Sequence, residues 1–305
     1  MNLSGWSDLQ SIDEINVGRF FEYDDDAMFM FQRWFPFLLK PSVKVLEVGA
    51  GSGYFTGKLL ELNPNMDLTC LEPDLRFVKH LRTKYKDRID VVESTLETPK
   101  ITPSTFDVAL SHIVIHNLPE PLAALQSMKD AVKERGYVVT IEPHPGSRSH
   151  YPDSEVGKAL DFIAQVKVLR WNHRRENIEF PDTHNPWEYC YPHMFSEVGL
   201  TNIRSHGWNS VFTLSDPRFD LSDRRKWMRL RKMQVLGEQI RRTNELLELE
   251  KTREEIEQSY STISDYFECI ENMTNKELQD VHEQHVYPRI ITIGQKMDNT
   301  SSHHH

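Results

Sequence analysis

Residues 45–57 read VLEVGAGSGYFTG. An apolar run suited to a strand covered on both faces ends in an acid, alternates three glycines, and passes into a polar, aromatic segment suited to a helix. Such a bend puts bare backbone N–H groups and the positive end of a helix at the carboxyl edge of a sheet, where open α/β folds take ligands. A tight strand-to-helix turn with no ligand would account for the glycines alone. The spacing excludes two phosphate sites: counted from Gly51, the last glycine of Gly-x-Gly-x-x-Gly is replaced by Thr56, and no Gly-Lys-Ser/Thr follows.

Glu47, two residues before Gly49, disfavours a dianionic pyrophosphate and favours an ammonium group. Glu72 closes DLTCLE at 67–72, about 20 residues past the glycines, where an acid accepts hydrogen bonds from ribose hydroxyls. A nucleoside carrying an amino acid and a positive centre satisfies both acids, and S-adenosylmethionine has those parts. A nicotinamide oxidoreductase is the weaker nucleotide-binding alternative.

Outward from the bend, β-rich runs alternate with helix-like segments. Strands are expected at 43–48, 67–72, 89–93, 106–111 and 136–142, and helices at 54–62, 75–85 and 121–132. Past Pro145 come a helix from Ser154 to Arg175, a Pro-punctuated link, a helix in WEYCYPHMFSEVGL closed by Gly199, and a strand in 201–214 with a break at Gly207. Residues 217–283 are charged and nearly free of glycine, with an apolar stripe at helical spacing that includes Trp227, Leu230, Met233, Ile240, Tyr260 and Phe267. PRIITIGQK at 288–296 is again strand-like, so the helices are inserted before the last strand.

These motifs resemble the class I S-adenosylmethionine-dependent methyltransferases over residues 43–145, with weaker support after 186. Glu47-x-Gly49-x-Gly51-x-Gly53 resembles the family's first motif, and Glu72 its ribose-binding acid. FDVALSHIVIHNLPEP at 106–121 resembles the fourth-strand motif, and MFSEVGL the end of the helix before the sixth strand. The resemblance implies an α/β, Rossmann-like, doubly wound sheet of seven strands, the last antiparallel, with a helical insertion before it. The expected organisation is an N-terminal helical lid at 1–40, a core at 41–216 and 284–297, the insertion at 217–283, and a tail at 298–305 whose SSHHH reads as a purification tag.

The resemblance implies cofactor contacts from Glu47, Gly49, Gly51, Gly53 and Glu72, and places Ser111 and His112 in the loop facing the sulfonium. Where the family often has an adenine-binding Asp, alignment puts Ser94, so Ser94 and Thr95 are the candidates there. His116, Glu142 and His144 stand at the same sheet edge and are candidates for proton transfer or acceptor contact; structural hydrogen bonding and turn formation explain them equally well. Tyr23, in an aromatic stretch at 18–35 that otherwise reads as core, is the candidate lid residue.

Lys and Arg number 36 against 46 Asp and Glu, a net charge of -10, which argues against a general nucleic-acid binder. The basic segment DRRKWMRLRK at 223–232 is the local exception and also reads as a solvated helix face. Cys70, Cys190 and Cys269 are too far apart for a Cys-x-x-Cys site, and the histidines lack a compact second ligand pair, so no metal is expected. No apolar run is long enough for a membrane helix and no signal peptide is evident, so a cytoplasmic address follows. The reading is therefore methyl transfer from S-adenosylmethionine to a small-molecule acceptor through N, O or S, with the insertion as a lid and homodimer contact. Nucleic-acid or protein methylation and a non-catalytic S-adenosylmethionine-binding module are the alternatives.

Overall fold

The computed structural model describes residues 12, 15–16, 19, 22–23, 25–96, 100–144, 148–166 and 190–298. They fall into two compact units, one of 1–145, 186–210 and 288–305, the other of 146–185 and 211–287.

In the first unit, helix α1 (Asp25–Trp34) precedes a βα alternation: β1 (Lys44–Val48), α2 (Tyr54–Leu62), β2 (Asp67–Glu72), α3 (Leu75–Tyr85), β3 (Asp90–Glu93), β4 (Phe106–His112), α4 (Pro121–Ala131) and β5 (Val132–Pro143). Then come α6 (Tyr191–Glu197), β7 (Leu200–Thr213) and β8 (Gln284–Lys296), the last two extending into residues of the second unit. The strand order is β3-β2-β1-β4-β5-β8, with β7 also pairing β8. The first five strands are parallel, and β8 runs antiparallel to β5 over 289–295. Asp74 caps α3, its side chain accepting from the Arg76 N–H at 2.9 Å.

Strand alternation sorts the side chains into two cores. Val45, Leu68, Cys70, Val108, Leu110, Val139 and Ile141 pack with Phe31, Phe55 and Leu81 on one face. Leu46, Val48, Leu71, Ala109 and Val138 pack with Leu125, Met128 and Phe195 on the other. Both faces being covered, each strand is a near-continuous apolar run, and each fully buried Leu, Val or Phe contributes about 1.5–3 kcal/mol.

The second unit holds β6 (Arg148–His150), α5 (Ser154–Ala164), α7 (Leu221–Leu236), α8 (Gln239–Glu248), α9 (Arg253–Asn272) and α10 (Asn275–Gln279). β6 pairs antiparallel with residues 284–286, making the sheet eight-stranded, one short strand more than expected. Helix α9 opens on a Thr252–Glu255 capping box and buries Ile256, Tyr260, Ile263, Phe267 and Ile270, a continuous stripe that packs against α5.

Some expectations are corrected. β7 runs through Gly207 without a break. Met233 and Ile240, expected in the apolar stripe, are exposed, whereas Trp227 and Leu230 are buried. The cations of 223–232 are engaged within their own unit: Arg224 donates to the Phe219 and Asp216 carbonyls, Arg225 to that of Met273, and Lys232 pairs with Glu271 at 2.6 Å. The expected helix beyond 166, much of the expected lid and the tail lie outside the described residues. No helix among the described residues is long and apolar enough to cross a membrane.

Candidate functional site

The glycine bend forms one wall of a cavity of about 700 Å³. Gly51 has φ +52°, and a Cβ there would meet nothing within 4 Å, so its open side is available to a ligand. Gly53 is different: with φ +71°, its Cβ would lie 2.6 Å from Leu81 and 2.9 Å from the Tyr85 ring, and its carbonyl accepts from the Tyr85 hydroxyl. It serves the packing of α2 on α3 and does not line the cavity, while Gly49 and Gly51 do.

Glu47, Glu72 and His112 reach the cavity from neighbouring strands, each in step with the strand positions that pack into the first core. Glu47 is 1% exposed; its Oε2 accepts from the Thr56 hydroxyl at 2.7 Å and the Cys70 thiol at 3.5 Å. Burial pushes its carboxyl up to about 7, against the pull of those two hydrogen bonds. Glu72 Oε2 accepts from the Gly51 N–H at 2.8 Å and Oε1 from the Asp74 N–H at 3.0 Å. Burial raises it too, opposed by those backbone bonds. Ser94 and Thr95 line the cavity near Leu96, and Ser94 Oγ accepts from the Lys100 N–H at 3.2 Å.

His112 stacks on Phe55 at 4.5 Å and shares a hydrogen bond through Nε2 with the hydroxyl of Tyr23. Burial raises the Tyr23 phenol and holds the His112 imidazole well below its ordinary range, so both are neutral and the phenol is the donor. Tyr23 is packed against Trp208, Tyr54 and Phe31 and reaches the cavity through His112.

Besides Gly53 and Tyr23, four expected site residues lie off the cavity. Ser111 falls on the opposite face of β4, fully buried. Glu142, also fully buried, has both oxygens engaged: Oε1 accepts from the Ile115 N–H at 3.0 Å and the Val114 N–H at 3.3 Å, and Oε2 pairs with His116 Nδ1 at 2.6 Å. His144 is exposed and its N–H donates to the Pro288 carbonyl at 3.0 Å. His116, Glu142 and His144, read from the sequence as candidates for proton transfer or acceptor contact, do not line the cavity. Glu142 and His116 fix the loop whose Ile113, Val114, Asn117 and Leu118 form the cavity wall.

Sequence reasoning missed that wall, and it missed Ile15 and Arg19, which also line the cavity. Their four-residue spacing, which puts two side chains on one helix face, was the available signal. Among the described residues no group of three His, Cys, Asp or Glu could hold a metal ion.

Residues 46–138 match the family model of a methyltransferase domain. These residues form a methyltransferase domain. Malonyl-[acyl-carrier protein] O-methyltransferase of Paenibacillus sp. (strain JDR-2) is 25% identical over 186 residues, 57% of this chain and 61% of that one. The chain thus spans about three fifths of this curated relative. The crystal structure of a candidate methyltransferase from Bacillus halodurans C-125 has the same fold, with a TM-score of 0.50 and 14% identity over 90% of this chain and all of that one. Phosphoethanolamine N-methyltransferase 2 of Haemonchus contortus, in complex with S-adenosyl-L-methionine, superposes more loosely, with a TM-score of 0.48 and 12% identity over 97% of this chain and 61% of that one.

The cavity fits this cofactor. Gly51 offers bare backbone whose side-chain direction is open, and two buried acids line the same space.

Proposed function

We propose that the protein is a cytoplasmic enzyme that transfers a methyl group from S-adenosylmethionine to a small-molecule acceptor. The observation that carries this reading is that Glu47 and Glu72 line one cavity with the bare backbone of Gly51, whose N–H donates to Glu72. Glu47 would hold the ammonium of the amino-acid part, Glu72 the ribose hydroxyls, and the stretch Ser94–Leu96 the base. The cofactor supplies an already activated methyl group. The protein's share is alignment and exclusion of water, and positioning alone is worth about 7–11 kcal/mol of barrier.

His112, neutral and fixed by Tyr23 and Phe55, orients what lies beside it. A buried neutral imidazole is a poor reservoir for a proton, so acceptors already ionised at neutral pH, such as carboxylates, are favoured over alcohols. The O-methyltransferase relative puts carboxyl oxygen among the acceptor atoms to be tried.

Calorimetry with S-adenosylmethionine and S-adenosylhomocysteine tests the cofactor, and S-adenosylhomocysteine release over a panel of amines, phenols, thiols and carboxylic acids tests transfer. A folded chain that binds neither cofactor form would end this reading. Binding without turnover across the panel would instead favour a non-catalytic binding module.

A further inference from the structure

The hydrogen bond between Tyr23 and His112 fixes where the imidazole keeps its proton. Both side chains are neutral, and among the described residues neither makes another side-chain hydrogen bond. Two arrangements satisfy that contact. In one, the Tyr23 hydroxyl donates to Nε2 and the ring proton sits on Nδ1. In the other, Nε2–H donates to the phenol oxygen, and the hydroxyl proton of Tyr23 has to point into the packing of Phe31, Tyr54, Phe55 and Trp208. A buried donor left without an acceptor disfavours the second arrangement by about tenfold or more in population.

The proton on Nδ1 then has a place to act. His112 is half-buried, stacks one face on Phe55 at 4.5 Å and lines the cavity. Nδ1 has no partner among the described residues and is not one of their enclosed, orphaned polar atoms, so it opens on that cavity. In the sheet, β4 lies beyond β1 on the side away from β2 and β3. With base, ribose and ammonium at the ends of β3, β2 and β1, His112 borders the amino-acid half of the cofactor and the space past it. An imidazole already protonated on Nδ1 takes a second proton only as an imidazolium, which burial opposes, so this group donates where a base would act by accepting.

We infer, on the methyltransferase reading above, that His112 presents Nδ1–H to a carboxylate or carbonyl oxygen of the methyl acceptor, and that Tyr23 is the positioning residue that sets this tautomer. The bond aligns the acceptor and removes no proton from it. Acceptors without such an oxygen leave the donor unmet, which selects against them by about tenfold or more.

The test reads the imidazole nitrogens by NMR in the full chain, isotope-labelled in histidine, with His112 recognised by its contact with the Phe55 ring. Near neutral pH, Nδ1 should be protonated and Nε2 unprotonated, and Tyr23→Phe should move the proton toward Nε2. The complex saturated with S-adenosylhomocysteine is then titrated with acetate or with acetamide, against methylammonium chloride at matched ionic strength. One oxygen compound or both should shift the Nδ1–H signal saturably; acetate saturating at the lower concentration marks a carboxylate, acetamide a carbonyl. Tyr23→Phe should weaken that response about threefold or more. A proton found on Nε2 in the unsubstituted chain overturns the inference, as does a signal that neither oxygen compound shifts. A signal shifted by S-adenosylhomocysteine alone and then indifferent to both also overturns it, and gives Nδ1–H to the cofactor's own carboxylate. A tautomer unchanged in Tyr23→Phe overturns the positioning role; should that variant not fold, the tautomer and titrations of the unsubstituted chain decide alone. A folded, unsubstituted chain that fails to bind S-adenosylhomocysteine in calorimetry defeats the methyltransferase reading, and the acceptor contact with it; that arm is read first, so the two failures are distinguished.

Discussion

Glu47→Gln isolates the electrostatic cost of placing an acid beside the glycine bend. In the folded chain without ligand, burial lifts the Glu47 carboxyl from its ordinary 4.5 to about 7. The folded state therefore holds a proton that the unfolded chain has released. Stability from this group is full below about pH 4.5 and is lost as pH rises through about 7. At about 1.4 kcal/mol per pH unit, the rise amounts to about 3 kcal/mol, undiscounted for screening because the side chain is fully buried.

Glutamine keeps an oxygen that can accept from Thr56 and Cys70 but does not titrate. Urea melts of both proteins from about pH 4 to 8 should show the variant gaining stability relative to the parent as pH rises, by up to about 3 kcal/mol, with most of the change below about pH 7. An ammonium next to Glu47 favours its ionised form, so cofactor binding near neutral pH should release a proton, read by calorimetry in buffers of different ionisation enthalpy. The variant should lack that component. If the stability difference between the two proteins is the same at every pH, the carboxyl is not perturbed and the argument for its role as a cation seat fails.

The two glycines should separate binding from stability. Gly51→Ala, strained by its positive φ but unobstructed, should cost about 1 kcal/mol of stability and weaken cofactor binding about tenfold or more, whereas Gly53→Ala meets Leu81 and Tyr85 and should lower the melting temperature further with less selective effect on the cofactor. Glu142→Ala takes the acceptor from two backbone N–H groups and the carboxylate from His116, so unfolding should become easier by about 2–4 kcal/mol; Glu142→Gln should leave the shape of the pH–rate profile unchanged, and a lost ionisation limb would instead mark Glu142 as a proton carrier. Arg289 donates to a Glu22 carboxylate that Arg19 still holds at both oxygens, so Arg289→Met should destabilise by about 1.5–3 kcal/mol in denaturant melts, the worth of a hydrogen bond to a charged group.

Strands and helices from 43 to 132 were legible because each strand is buried on both faces and bounded by turn residues. Glu47 and Glu72 were legible because their spacing from the glycines is dictated by one βαβ unit. Glu142 was misread because proximity to the sheet edge says nothing about which face a side chain takes. It lies two residues beyond Thr140, in step with Val138 of the opposite core, and that parity was the usable clue. Ser111 was misplaced for the same reason, being in step with Ala109. Arg289 was hidden because its partner Glu22 is 267 residues away, and no local pattern encodes a pairing of that range. The supposed break at Gly207 failed because a lone glycine weakens a strand without having to end it.

Glu72 meets an arriving nucleoside with its carboxylate plane already settled, since each oxygen carries one amide bond from its own loop. Each oxygen keeps a further lone pair, so a vicinal diol can be accepted without displacing either amide. The receptor's conformational entropy at this point is surrendered during folding, and none of it is charged against the guest on arrival.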